Sequence, residues 1–268
     1  MNSTVFITGA SSGMGRATAL YLAEEGFTVY AGSRTPKKLI DLHPHITPIM
    51  IDITNPKSIQ KAMKPLPKID ILINNAGYGL ISSVEEVQEE EMQAQFDVNV
   101  FGTLRVTQAI IPKMRAQKSG IIINISSFLG KIGLPLLTFY NASKYAVEGI
   151  TDSLRYELAP FNIRVHSIMP GFFETNFSKD NLVTNSTTFS PTSPYEPIVS
   201  TLAPTILQQI NHGNDAKEVA QLIHEIIQDK HFKARVTAGE KAQKFIPMKK
   251  ELSDEDFERR VREYYNLG

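Results

Sequence analysis

Short apolar runs, mostly β-branched and nearly unbroken, alternate with helix-length segments along most of this chain. The runs fall at 4–8, 28–32, 47–52, 69–74, 120–125, 164–169 and 235–237. Strands that read as continuous rather than alternating are those covered on both faces. Between them lie helical stretches at 13–25, 55–63, 85–115 (broken near Asn99), 140–159 and 216–228. Strand–helix–strand repetition with right-handed crossovers predicts an α/β fold: a doubly wound, open parallel sheet of about seven strands with helices on both faces. The 268 residues suit one such domain, residues 1–268 as a single unit.

Composition removes several function classes. The 28 basic residues cancel the 28 acidic ones, which argues against a nucleic-acid or membrane-surface binder. The chain has no cysteine, so disulfides, thiolate zinc sites, Fe–S clusters and cysteine nucleophiles are excluded together. Its six histidines show no zinc-like spacing, and a metal is not expected. No run approaches the roughly 18 apolar residues of a membrane span, and no signal peptide is visible, so the expected location is cytoplasmic.

Two regions break the rhythm. Residues 172–213 are rich in Pro, Ser, Thr and aromatics, with Pro191, Pro194, Pro197 and Pro204, and read as an inserted lid or binding segment. Residues 239–268 form a charged tail. There Ser253-x-x-Asp256 resembles a capping box, and Phe257, Val261 and Tyr264 share one face of a short docked helix.

Directly after the first strand comes Thr8-Gly9-Ala10-Ser11-Ser12-Gly13-Met14-Gly15-Arg16, which runs into an amphipathic helix. Glycines permit a tight turn and close backbone approach to a pyrophosphate, and the helix N-terminus offers unpaired N–H groups and a positive dipole end. The placement between strand and helix predicts a dinucleotide-binding turn of the Rossmann type. The second strand then decides the cofactor. An acidic residue there would bind a ribose 2′-hydroxyl and repel a 2′-phosphate. This strand instead ends Gly32-Ser33-Arg34-Thr35-Pro36-Lys37-Lys38, and the Arg34 fork suits a phosphate, with Ser33 and a lysine beside it. NADP(H) is expected over NAD(H).

Tyr140-Asn141-Ala142-Ser143-Lys144 opens a predicted helix, so Tyr140 and Lys144 share one face at i and i+4. A nearby ammonium favours the phenolate and brings a phenol toward the working range of a proton-transfer group. Alone, this spacing is common. It is accompanied by a strand ending Ile125-Ser126-Ser127, another ending Asn74-Asn75-Ala76-Gly77, Asn99 within Asp97-Val98-Asn99, and Pro170-Gly171-Phe172-Phe173-Glu174-Thr175. Strand alternation sends Ser126 and Ser127 to opposite faces. Asn74 and Asn124 are expected to satisfy backbone groups at strand ends.

Together these residues strongly resemble the short-chain dehydrogenase/reductase family, in the branch with Thr-Gly-x-x-x-Gly-x-Gly, over residues 4 to about 175. The resemblance implies that Tyr140 is the general acid/base and that Lys144 holds the nicotinamide ribose and lowers the tyrosine pKa. It implies that Ser127 hydrogen-bonds the substrate oxygen and that Asn99 anchors a water in a proton relay. Gly9, Gly13 and Gly15 would form the phosphate loop, with Ser11, Ser12 and Met14 between them. Asp52-Ile53 would contact adenine, and Asn75, Ala76 and Gly77 would run beside the cofactor ribose. Pro170 and Gly171 would bind the cofactor after the β-strand that follows the Tyr140 helix, and Thr175 would contact the nicotinamide carboxamide or the phosphates. Phe173 departs from the smaller aliphatic residue usual there and bears on the nicotinamide contacts, and Ser12 stands where many NADP-preferring relatives carry Lys or Arg.

The implied activity is hydride transfer between a nicotinamide and a carbonyl or alcohol. Three apolar segments are candidate pocket walls: 77–80, 133–137, and the insertion with Phe172, Phe173, Phe177, Leu182, Phe189 and Tyr195. They suit a bulky lipophilic substrate, although the aromatics could equally pack the loop to itself. Gly133-Leu134-Pro135 and Ala142–Gly149 look most like hydroxysteroid and retinol dehydrogenases. Relatives form dimers or tetramers through helices at 85–115 and 140–159. The alternative is a catalytically silent, NADPH-sensing regulator; such proteins typically lose the tyrosine or the lysine, and both are present.

Overall fold

The computed structural model describes residues 3–175 and 181–268. Seven strands form one parallel sheet: β1 (Thr4–Thr8), β2 (Thr28–Ser33), β3 (Ile46–Met50), β4 (Ile71–Asn74), β6 (Gly120–Ile125), β7 (Ile163–Pro170) and β11 (Arg235–Ala238). Their spatial order is β3-β2-β1-β4-β6-β7-β11. Chain direction across the sheet reverses between β1 and β4, which is where open α/β sheets place a ligand, beyond the carboxyl ends of the strands.

The helices are α1 (Gly13–Glu24), α2 (Pro56–Met63), α3 (Glu89–Phe96), α4 (Thr103–Gln117), α5 (Thr138–Leu158), α6 (Glu196–Asn211), α7 (Ala216–Gln228), α8 (Glu240–Glu251) and α9 (Asp254–Tyr265). Period-two alternation sorts the central strands between two cores. Val5, Ile7, Ile71, Ile73, Ile123 and Ile125 pack on α1 and α7 through Leu22, Val219 and Ile223. Phe6, Leu72 and Ile122 point the other way, onto Ile59 of α2, Val106 and Ile110 of α4 and Leu154 of α5.

The Asn74 and Asn124 side chains do something other than what strand-end residues were expected to do. Opposite each other in the β4–β6 register, they form a buried ladder rather than capping backbone groups. Asn74 Nδ2 donates to Thr107 Oγ1 of α4 and to Asn124 Oδ1, both at 2.9 Å, and Asn124 Nδ2 donates to Thr151 Oγ1 of α5 at 2.9 Å. The ladder crosses from one helix through two strands to another, beneath the sheet edge where the site lies.

The 172–213 segment is not all loop. Its second half is α6, which starts with Pro197 in the first turn, where no N–H is needed, and buries Leu202, Ala203, Ile206 and Ile210. Its first half carries β9 (Leu182–Thr184), which pairs in parallel with β5 (Gly79–Ile81), and β8 (Phe173–Glu174), which pairs with β10 (Asn214–Asp215). The charged tail is two helices rather than one. Ser253 caps α9 by accepting from Asp256 N, and Phe257, Val261 and Tyr265 are buried; Tyr264 is only partly so. Phe245 of α8 joins them in a third core with Phe128, Leu134 and Leu137.

Candidate active site

Most of the residues singled out from the sequence meet in one cavity of about 1040 Å³ along the carboxyl edge of the sheet. Gly9, Ser11, Ser12, Gly13 and Met14 line it at the β1–α1 turn, with Asn75, Ala76 and Thr175 against that turn; Ser33, Arg34, Asp52 and Ile53 line one end, and Gly77, Ser126, Tyr140 and Lys144 the other. Gly15, Asn99 and Ser127 stand just behind this lining. Pro170 is buried at the end of β7, and Gly171 is covered by α8, since a Cβ on it would come within 3.0 Å of Ala242 N. Phe173 turns away from the cavity into the core beside Val219 and Ala238, so its bulk does not narrow the site. Phe177 lies outside the described residues.

The β1–α1 turn needs its glycines. Gly9 and Gly13 have φ of +66° and +53°, and a Cβ on Gly9 would sit 2.8 Å from Ala76 Cα. The turn is tied to the β4 edge: Asn75 Nδ2 donates to Thr8 O at 3.0 Å and Gly9 O at 3.1 Å, and Thr8 Oγ1 accepts from both Asn75 N and Ala76 N. The Asn75 side chain is therefore committed to building the turn. At its N-cap, Ser12 makes no side-chain capping bond, and the first turn of α1 carries no acidic residue. The first N–H groups and the positive end of the helix dipole face the cavity uncompensated, as an anion site requires.

At the β2 end, Ser33 Oγ accepts from Thr35 N at 2.9 Å, which shapes the turn that presents an exposed Arg34. Lys38 joins it on the cavity wall, whereas Lys37 does not. Asp52 Oδ1 accepts from Thr54 N at 2.9 Å and Thr54 Oγ1 at 2.7 Å.

At the other end, the first turns of α5 carry Tyr140 and Lys144. Burial pushes the Tyr140 phenol up to about 12, against a hydrogen bond with Ser127 that pulls it down. Burial pulls the Lys144 ammonium down to about 8, against the charge of Glu148. Lys144 Nζ donates to Ile125 O at 2.9 Å and lies 5.7 Å from the Tyr140 ring centre. Ser126 and Ser127 diverge as strand alternation requires: Ser126 faces Lys144 O, while Ser127 Oγ accepts from Leu129 N at 3.1 Å beside the phenol.

The break near Asn99 is a π-helical turn, Asp97–Gly102, between α3 and α4. Such turns recur at functional sites because they re-aim side chains and carbonyls. Asn99 Oδ1 accepts from Tyr78 N at 3.0 Å, and its Nδ2 donates to Tyr78 O at 2.9 Å and Ser143 Oγ at 3.0 Å. Both amide protons are thus spent on protein groups. Ser143 in turn donates to Tyr140 O at 2.7 Å, so it links the Asn99 turn to the backbone of the tyrosine.

Ser143 and Glu148 were read only as parts of a motif. The signal for Glu148 was available: Tyr140, Lys144 and Glu148 recur at i, i+4 and i+8, on the face of α5 that also buries Val147 and Thr151. Three ionisable groups on a buried stripe are unusual.

The outer wall is a strap. Gly79 N donates to Asn181 O at 2.9 Å, and Asn185 N donates to Ile81 O at 3.0 Å, flanking the β5–β9 pair. Glu86 accepts from Ser83 Oγ and twice from Ser193 Oγ, at 2.8–3.0 Å. Desolvation pushes the Glu86 carboxyl up, but hydrogen bonds from Ser193, Ser83 and Thr188 outweigh it and leave it below the ordinary carboxylate range. Tyr195 caps the outside by donating to Glu85 at 2.8 Å. Of the expected apolar walls, Tyr78, Leu80 and Val183 line the cavity, while Phe172, Leu182 and Phe189 pack with Tyr140 against the third core. Among the described residues no group of three or more His, Asp or Glu could hold a metal, and no helix is long and apolar enough to cross a membrane.

A nucleotide-sized cleft at the switch point of a parallel sheet, with a Tyr–Lys pair at one end, defines an oxidoreductase of the short-chain dehydrogenase class. The family model described as short chain dehydrogenase matches residues 3–185, and the chain belongs to that family. Among its relatives, a 3-ketodihydrosphingosine reductase of Bacteroides thetaiotaomicron is 40% identical over 187 residues, 68% of each chain. A solved short-chain dehydrogenase of Streptomyces avermitilis superposes with a TM-score of 0.83 at 30% identity, covering 100% of this chain and 97% of that one. A second, from Burkholderia cenocepacia in complex with NADP, gives 0.74 at 29% identity and 92% of each chain.

Proposed function

We propose that this chain is an NADP(H)-dependent reductase, or the reverse dehydrogenase, acting on a lipophilic carbonyl or alcohol. The observation that carries the reading is one cavity with Arg34 at one end and Tyr140 and Lys144 at the other, the Tyr140 phenol being hydrogen-bonded to Ser127 behind it. The residues fit the cofactor: the positive-φ glycines form a cradle that a Cβ would fill, and the acid-free start of α1 suits a pyrophosphate. β2 ends at Ser33, followed by Arg34, with no acidic residue to repel a 2′-phosphate, and the NADP complex of the Burkholderia relative supports the same choice. Asp52 and Ile53 would hold adenine, and Lys144 and Thr175 the nicotinamide half.

A bound nicotinamide supplies or takes the hydride. The chain's own residues handle the oxygen and the proton. Tyr140, kept neutral by burial, gives its proton to the oxygen of the substrate carbonyl as negative charge grows there. The Ser127 hydroxyl donates to the same oxygen and fixes its position against the phenol. Lys144, an ammonium at neutral pH, stabilises the phenolate that results. Asn99 and Ser143 hold the start of α5 in register with the π-turn. Tyr78, Leu80 and Val183 supply apolar surface at the substrate end, beside the polar Glu90, Glu91 and Asn181, and the relative named a 3-ketodihydrosphingosine reductase supports a lipophilic keto substrate. The lid and a single-domain organisation belong to the same reading, as does a dimer or tetramer through α4 and α5, where Leu104 and Tyr156 are exposed beside Phe101 of the π-helical turn.

The test follows nicotinamide absorbance with NADPH and NADH in parallel over steroid, retinoid, aliphatic and aromatic carbonyls. Turnover is expected with NADPH on a lipophilic member, and Tyr140→Phe should lower kcat about 100- to 10,000-fold while NADPH still binds. Unchanged turnover in that variant refutes the acid/base role.

A further inference from the structure

The buried face of α5 carries one more ionisable side chain than the proposed reaction uses. Glu148, one turn beyond Lys144, is 2% exposed. A carboxylate at that depth persists only when paired and hydrogen-bonded. Its partners come from three other parts of the chain. Ser167 of β7 donates its hydroxyl to one carboxylate oxygen. Arg235 of β11 donates from Nε to the other oxygen at 2.6 Å and from Nη2 to the Glu148 backbone carbonyl at 3.2 Å. Lys131 lies 3.3 Å from that same oxygen and belongs to the turn that begins at Ser127. Asp152, one turn further along α5, takes the far side of the Arg235 guanidinium at 2.5 Å.

The turn and the helix also touch directly. A Cβ on Gly130 would stand 3.0 Å from the Lys144 carbonyl and 3.2 Å from Glu148 Cγ. The segment leaving Ser127 is therefore pressed onto α5 between the lysine and the glutamate, and Lys131 closes that contact ionically.

We propose that Glu148 is a positioning residue of the reaction: it pins the Lys144 turn of α5 to the Ser127 turn and the sheet edge, and it is the buried counter-charge of Lys144. This rests on the functional reading above, in which Lys144 acts as an ammonium. The direction agrees, since Glu148 opposes the burial that pulls Lys144 down to about 8. The groups facing this cluster are Lys131 from the turn, Arg235 from β11, Ser167 from β7, and Lys144 and Asp152 from α5 itself. A purely architectural anchor would be served nearly as well by glutamine, which keeps the shape and can still accept from Ser167 and Arg235. Only the charge separates the two roles.

Lysine Cε labels report the Lys144 titration by NMR in cofactor-free protein, with the resonance assigned by Lys144→Met. In Glu148→Gln, with the fold checked by circular dichroism, the Lys144 midpoint should fall by about one pH unit. The high-pH limb of kcat should move with it, and kcat should fall about tenfold with KM for NADPH little changed. Glu148→Gln/Arg235→Gln removes the anion and its arginine together and strands no buried charge; it should lower the midpoint in the same direction. A midpoint that stays at the wild-type value in whichever variant folds overturns the proposal. The titration is read without substrate, so wild-type protein that turns over no carbonyl would strike the functional reading and leave this result standing.

Discussion

Replacing Lys144 by methionine should end turnover and yet make the protein more stable at neutral pH. Lys144 is 6% exposed, and burial pulls its ammonium from the ordinary 10.5 to about 8. That gap, at about 1.4 kcal/mol per pH unit, means folding carries a penalty of about 3 kcal/mol for the charged form. Between the two values the unfolded chain binds the proton that the folded one has released, so stability climbs with pH there. The penalty is whole below about pH 8 and gone above about 10.5. Methionine is unbranched and apolar, but it leaves the Ile125 carbonyl without the 2.9 Å bond from Nζ, which costs about 1–2 kcal/mol. The net gain at pH 7 is about 1–2 kcal/mol, a rise in Tm of about 2–8 °C for a chain of this length. Urea unfolding followed by far-ultraviolet circular dichroism at pH 7 and at pH 10 measures it. The advantage should shrink with pH and reverse at the upper end. A variant less stable than wild type at pH 7, or an advantage independent of pH, would refute the reasoning.

Three further outcomes are expected. Arg34→Ala should raise the Kd for NADPH about 10- to 100-fold and that for NADH no more than about threefold, read by the fluorescence of the reduced nicotinamide; equal losses would sink the 2′-phosphate assignment. Asn124→Ala breaks the ladder from α4 to α5 and should cost about 2–4 kcal/mol in urea unfolding; a loss under about 1 kcal/mol would show that the ladder carries no weight. Gly9→Ala places a side chain at positive φ, 2.8 Å from Ala76 Cα, and should abolish NADPH binding while leaving far-ultraviolet circular dichroism intact. Binding within threefold of wild type would show that the turn can yield.

The sheet was legible because β1, β4 and β6 are buried on both faces and so read as unbroken apolar runs. The Tyr140–Lys144 pair and the glycine turn were legible because each lies within one short stretch of chain. What escaped was built from distant pieces. β5 and β9 have three residues each and pair across about a hundred positions, too short for any periodicity to announce them. α6 was hidden by Pro197 and Pro204, read as breakers although a first-turn proline starts a helix and buried Leu202 and Ile206 hold it. Asn74 and Asn124 looked like strand-end residues because nothing in the sequence states the register that sets them opposite each other. The spacing from Tyr140 and Lys144 put Glu148 on their face, but its partner escaped, because Arg235 arrives 87 residues later.

The strap of β5, β9 and the Glu86 hydroxyl bonds draws on residues 79–91 and 181–195, whereas the glycine turn, Ser127 and the polar stripe of α5 draw on others. On the proposed function, the residues that would move the proton and those that would wall the entrance therefore come from separate stretches of chain. On that reading, substitutions at Leu80 or Val183 should reshape what enters without disturbing how a proton is moved, and exchanging 181–195 with a relative's segment would change the keyhole while keeping the lock.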